Sequence, residues 1–204
     1  MSESRWMKIH ATSNGDLLYE SKFLTENLSV SAKAIKSEWA NLSPRERYDF
    51  TQAFQAKPEI TKDDEEILDF LMAVGDHTIW LTISPLLSRH SNREKTMAFL
   101  LERIADSDKP KANFYQTLES MCDTRALPVL RRCYERYGAS VERGEFEEKL
   151  DYLDYLLCTR ALLAIEGGRE YAETLLHYSA STDEQIAGWA RRLLENRQNN
   201  LNSC

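Results

Sequence analysis

The chain has 204 residues, of which 29% are charged and 42% apolar, with only 7 glycines, 5 prolines and a formal net charge of −7. This composition excludes a disordered chain, and the shortage of turn-forming residues argues against an all-β domain. Acidic residues outnumber basic ones in both halves, so nucleic-acid binding driven by bulk phosphate neutralisation is disfavoured and only a local basic strip is left for it.

The opening residues, MSESRWMKIH, contain no apolar leader run. No apolar stretch reaches the ~18 residues of a membrane span. The expectation is therefore a cytoplasmic chain with no membrane partner. Within residues 1–30, Asn14-Gly15 is a turn signal between two short apolar segments, and a hairpin and an irregular arm fit it equally. Helical periodicity begins near Ser31, with Ile35, Trp39 and Leu42 on one face. Ser43-Pro44-Arg45-Glu46 is a helix start with a capping box, and that helix stops before Lys57-Pro58. Thr61 caps the next helix, whose first turn is acidic and whose stripe is Ile67, Leu68, Leu71 and Val74.

Gly75 then serves as a left-handed helix end, and Asp76 caps a helix to about His90 that Pro85 bends. Asn92 caps a helix through Ile104. Ser107 to Pro110 is a turn, and a helix follows from about Pro110 to Met121. After a turn at Cys122-Asp123, Thr124 to Tyr137 forms a helix that Gly138 ends. The longest helix comes next, with Phe146, Leu150, Leu153, Leu157, Ala161 and Ala164 at heptad-like spacing. Gly167-Gly168 turns the chain into a helix from Arg169 to Tyr178, and Asp183 caps the last one. The expected organisation is an arm at 1–30, a helical domain at 31–196 and a polar tail at 197–204. The four cysteines form no C-x-x-C pair and are read as reduced, core-filling thiols.

Three segments superimpose: GDHTIWLTISPLLSRH, CDTRALPVLRRCYERY and GGREYAETLLHYSA. Pro85 and Pro128 are 43 positions apart, Glu173 follows 45 later, and Leu87, Leu130 and Leu175 share one core position. The first copy needs one extra helical turn after its Asp. On these residues, and most clearly in LESMCDTRALPVLRRCY and LLAIEGGREYAETLLHY, the chain resembles HEAT-like and armadillo-type helical repeats over roughly Thr61 to Asn196. The resemblance implies an all-α fold, a short right-handed α-α superhelix of about nine or ten helices. The alternative is an irregular helical bundle. HEAT-like motifs specify a fold and no activity.

Chemistry is sparse. His10, His77, His90 and His177 are scattered and none precedes a Glu, so they are read as surface or cap residues and no metal or cofactor is implied. Asp151 and Asp154 share a side of the longest helix and are read as a solvated stripe or a salt-bridge ladder. Trp39, Trp80 and Trp189 fall at core phase. No phosphate-loop, dinucleotide, nucleophile-elbow or zincin motif occurs. The least ordinary feature is basic: Arg131, Arg132 and Arg136 on one helix and Arg191 and Arg192 on the last. In stacked repeats such helices line the concave binding surface. The expected function is a non-enzymatic interaction module that binds a protein partner there. The alternative is a nucleic-acid-binding or processing protein of the helical-repeat, DNA glycosylase-like type, and a weaker one is a subunit akin to the helical-repeat bilin lyases.

Overall fold

The computed structural model describes residues 7–11, 17–21, 30–106, 111–146 and 148–199. The Asn14-Gly15 and Ser107–Pro110 turns and the end of the polar tail lie outside them. The chain divides into two compact units, Met1–Ser91 and Asn92–Cys204. From residue 30 onward, regular structure among the described residues is helical, and none of these helices is long and apolar enough to cross a membrane.

The first unit opens with a hairpin, β1 (Met7–Ala11) antiparallel to β2 (Leu17–Ser21), with Ile9 opposite Tyr19. Then come α1 (Ala32–Glu38), a 3-10 helix (Trp39–Asn41), α2 (Pro44–Gln55), α3 (Lys62–Val74) and α4 (His77–Leu87). Their starts follow the expected caps. Ser43 and Glu46 form the capping box of α2, Thr61 and Asp64 that of α3, and Asp76 Oδ1 accepts the Ile79 N–H at 3.0 Å to open α4. Helices pack one apart in sequence as well as side by side: α1 lies on α3, α2 on α4 and α3 on α4. Asp63 of α3 also accepts the Ala32 N–H at 3.3 Å, so one helix helps cap another.

Two expectations change here. Gly75 is extended (φ −68°, ψ 160°), not left-handed. It is small because a Cβ there would sit 2.5 Å from the Leu71 carbonyl and 2.8 Å from Trp80 Nε1. Val74 is 47% exposed and leaves the core list. Pro85 lies inside α4, where it cannot donate to the Leu81 carbonyl; the buried Ser84 hydroxyl donates to that oxygen instead, at 3.0 Å.

The second unit contains α5 (Arg93–Asp106), α6 (Ala112–Met121), a 3-10 helix (Thr124–Ala126), α7 (Leu127–Glu142), α8 (Lys149–Ile165), α9 (Arg169–Ser179) and α10 (Glu184–Asn199). Cys122 turns the chain with φ 51°, and Asp123 Oδ1 accepts the Arg125 N–H at 3.0 Å. The 3-10 turn suits Pro128. In α-helical register Pro128 would have to donate to the Thr124 carbonyl; in the tighter register Leu127 does so. Gly138 lies inside α7, not at its end. The chain turns later, at Gly144, which has φ 70°. Gly167 and Gly168 turn it into α9 as expected, with φ 80° and 106°.

Helix α8 is the centre of this unit and packs on α6, α7, α9 and α10. Asp154 to Leu163 are all buried, so the expected one-sided heptad stripe is replaced by burial on every face. Leu150, expected in that stripe, is 46% exposed, and Phe146 precedes the helix. Tyr134, Tyr137, Tyr155 and Tyr171 form an aromatic seam from α7 through α8 to α9, with successive centroids 5.1–5.9 Å apart. Cys133 and Cys158 are free and buried. Cys122 is disulfide-bonded, which corrects the all-thiol expectation.

Leu87, Leu130 and Leu175, aligned across the three segments, are each fully buried. Leu130→Ala should lower unfolding stability by about 2–5 kcal/mol. Urea denaturation checks this, and an unchanged midpoint would show that Leu130 carries no core packing.

Candidate anion-binding cleft

Helices α5 and α7 are in contact, and Ile104 and Ala105 of α5 face Val129, Arg132, Cys133 and Arg136 of α7 across a cleft of about 290 Å³. The four α7 residues fall at i, i+3, i+4 and i+7, which places them on one helix face. Ile104 and Cys133 are buried and form the floor. The Arg136 guanidinium lies 5.4 Å from the centroid of the Tyr137 ring, a cation–π contact that restrains it. Arg132 is exposed. Neither arginine makes an ion pair with any described residue, although Glu135 lies between them in sequence.

The five arginines expected to form the basic patch are disposed differently. Arg131 pairs with Glu166: its Nε donates to Oε2 at 3.1 Å, and its NH2 group bonds Oε1. The same carboxylate accepts the Tyr171 hydroxyl at 3.2 Å, and Arg131 holds it below the usual carboxyl range. Arg191 donates to the Ser179 carbonyl at 3.1 Å, closing the C-terminus of α9, and lies 3.6 Å from Glu184. Arg192 donates to the Gly188 carbonyl of its own helix at 3.1 Å. The structure therefore brings Arg132 and Arg136 together at one cleft, and commits Arg131, Arg191 and Arg192 to other contacts. The floor was legible only as core: Ile104 and Cys133 read as apolar-phase residues, with nothing local to mark the opening between their helices.

A second polar group lies inside the unit. Asp154, expected in a solvated stripe or a salt-bridge ladder, is 6% exposed and accepts the Lys111 backbone N–H at 2.8 Å at the start of α6. Asp151, expected beside it, accepts the Glu148 N–H at 3.3 Å and stays at the helix start. Arg160 is buried and pairs with Glu119 of α6 at 2.9 Å. The Tyr115 and Tyr137 hydroxyls are 3.1 Å apart in the core, and burial raises both phenols and the Cys158 thiol. Of the histidines, His90, expected as a surface or cap residue, is buried just beyond the end of α4 and lies 3.3 Å from Asp69. No group of His, Cys, Asp and Glu among the described residues could hold a metal ion.

The cleft can bind. Among the described residues, its lining holds no carboxylate, imidazole or hydroxyl beside the buried thiol. Around Asp154, burial moves the Tyr115, Tyr137 and Cys158 titrations away from neutrality. Asp154 is the exception. Burial lifts its carboxyl from 3.8 to about 6, against the opposing pull of the Lys111 N–H and charge, and Asp151 adds to the rise.

The native state thus holds this proton more tightly than the unfolded chain. Stability from this group is fully present below about pH 4 and is lost as pH rises through about 6. Asp154→Asn should remove that slope, and its stability relative to wild type should rise by roughly 2 kcal/mol between pH 4 and 7, taking 1.36 kcal/mol per pKa unit. Denaturation of both proteins across that range checks this, and parallel pH profiles would refute it. No known protein family, curated protein or solved structure matches this chain.

Proposed function

We propose that the chain is a non-enzymatic, HEAT-like interaction module that binds a carboxylate-bearing part of a protein partner at the α5/α7 cleft. The observation that carries this reading is the pair Arg132 and Arg136, which lack a carboxylate partner among the described residues in a chain of net charge −7. Most other arginines of the second unit are spent. Arg125 contacts Asp123 and Glu94, Arg143 contacts Glu145, Arg160 contacts Glu119 and Arg169 contacts Glu173. Two guanidiniums left over at a cleft with an apolar floor suit a carboxylate that carries an aliphatic group.

The helix packing agrees with the repeat reading. In both units a helix contacts its neighbours one and two places along the chain, as stacked helical pairs do. The nucleic-acid alternative needs a continuous cationic strip. Arg131 and Arg191 face carboxylates instead, and the chain is acidic overall.

Affinity capture from the source cell with wild type and with Arg132→Gln/Arg136→Gln tests the reading. Both side chains are exposed, so the variant should keep its helical circular dichroism. A protein partner retained by wild type and lost by the variant is the expected result. The same partners on both proteins would sink the proposal, and nuclease-sensitive capture would favour the alternative.

A further inference from the structure

We infer that the α5/α7 cleft takes the free C-terminal carboxylate of a partner chain whose last side chain is aliphatic. This rests on the reading of the cleft as a protein-binding site and specifies the part of the partner that enters it.

Size limits the occupant first. At about 290 Å³ the cleft is at the lower edge of the ~300–1,000 Å³ typical of small-molecule sites, so it suits one or two residues and not a long segment. Charge limits it next. Two guanidiniums can fork onto one carboxylate, and a polyanion would meet a chain of net charge −7. The layout of the lining then distinguishes a chain end from an internal acidic residue. Val129 and Cys133 are one turn apart on the cleft face of α7, and Arg132 and Arg136 lie one turn apart beside them. A helical turn rises about 5.4 Å.

A terminal residue carries its carboxylate and its side chain on the same Cα. It can therefore present the anion to Arg132 and Arg136 and lay the side chain on Ala105 and Val129 together. An internal Asp or Glu holds its carboxylate at the side-chain tip. To place that tip between the arginines with apolar contact below, its main chain must lie over the same floor. Its peptide N–H and C=O groups would then face the side chains of Ala105 and Val129, which offer no hydrogen bonds. A hydrated inorganic anion would satisfy the arginines and leave the floor uncovered. The Tyr137 ring beneath Arg136 fixes one arm of the fork in advance, which lowers the ordering cost of binding.

The test uses the full chain, immobilised, and three pools of short peptides with randomised upstream residues. One pool ends in Leu with a free carboxylate. The second is the same pool amidated. The third is amidated and carries Asp immediately before the Leu, which restores the charge internally. Wild type should retain the free-acid pool about tenfold or more above the amidated pool. Restoring charge with Asp should not recover this, Arg132→Gln/Arg136→Gln should abolish the difference, and added salt should weaken retention. Equal retention of acid and amide, preference for the internal-Asp pool, or no retention of the free-acid pool would each overturn the inference. Each of these can occur while patch-dependent capture of a protein partner persists, so failure here is distinct from failure of the functional reading.

Discussion

Between Asp154 and Leu163 helix α8 has no face left for water, and the architecture of the second unit follows from what that burial demands. Leu156, Ala161 and Leu162 are satisfied by packing alone. Asp154, Thr159 and Arg160 are not, because a buried polar group without a partner is costly. Each finds one: Asp154 the N–H of Lys111, Thr159 the carbonyl of Tyr155, and Arg160 the carboxylate of Glu119. Two of these partners lie on or at the start of α6, so the helix that supplies the core also fixes its neighbour's position. An ion pair as buried as Arg160–Glu119 adds little net stability over apolar packing, yet breaking it strands a charge. Its effect is to make one register of α6 on α8 better than the others.

The cleft depends on this frame. Helix α7 packs on α8, where the Cys158 thiol donates to the Leu130 carbonyl at 3.3 Å. With Leu130 directed at the core, Val129, Arg132 and Arg136 lie about 100–160° round the helix from it and are turned toward α5. The basic pair is thus placed by the core position that the sequence alignment singled out, and not by any loop.

Local rules were legible in the sequence. The caps at Ser43, Thr61, Asp76 and Asp183, the glycine turn at Gly167-Gly168 and the three aligned leucines all depend on residues a few positions apart or on periodicity. The burial of Asp154 and Arg160 was not legible because their partners lie 43 and 41 residues away, and both carry charges that periodicity assigns to solvent. The arginine patch is divided for a geometric reason. Arg131 and Arg132 are adjacent, and adjacent residues on a helix diverge by about 100°. One reaches Glu166 and the other the cleft, so a dipeptide that looks like one feature serves two helix faces. Gly75 shows the reverse case: the residue was identified as special, but it is needed for close approach by Leu71 and Trp80 and not for a positive φ.

Helix ends in this chain are closed by their neighbours. Arg47 of α2 donates to the carbonyl of Trp39, Arg93 of α5 to that of Met121, and Arg191 of α10 to that of Ser179. Asp63 and Asp154 do the same for N–H groups at Ala32 and Lys111. The consequence concerns how such a chain can be cut and recombined. A helix removed at a loop boundary takes with it the cap of a helix that stays behind, leaving carbonyls or N–H groups to find water. The unit of exchange in this architecture is therefore a helix together with the neighbour it closes, and boundaries for truncation or grafting belong outside each capped pair.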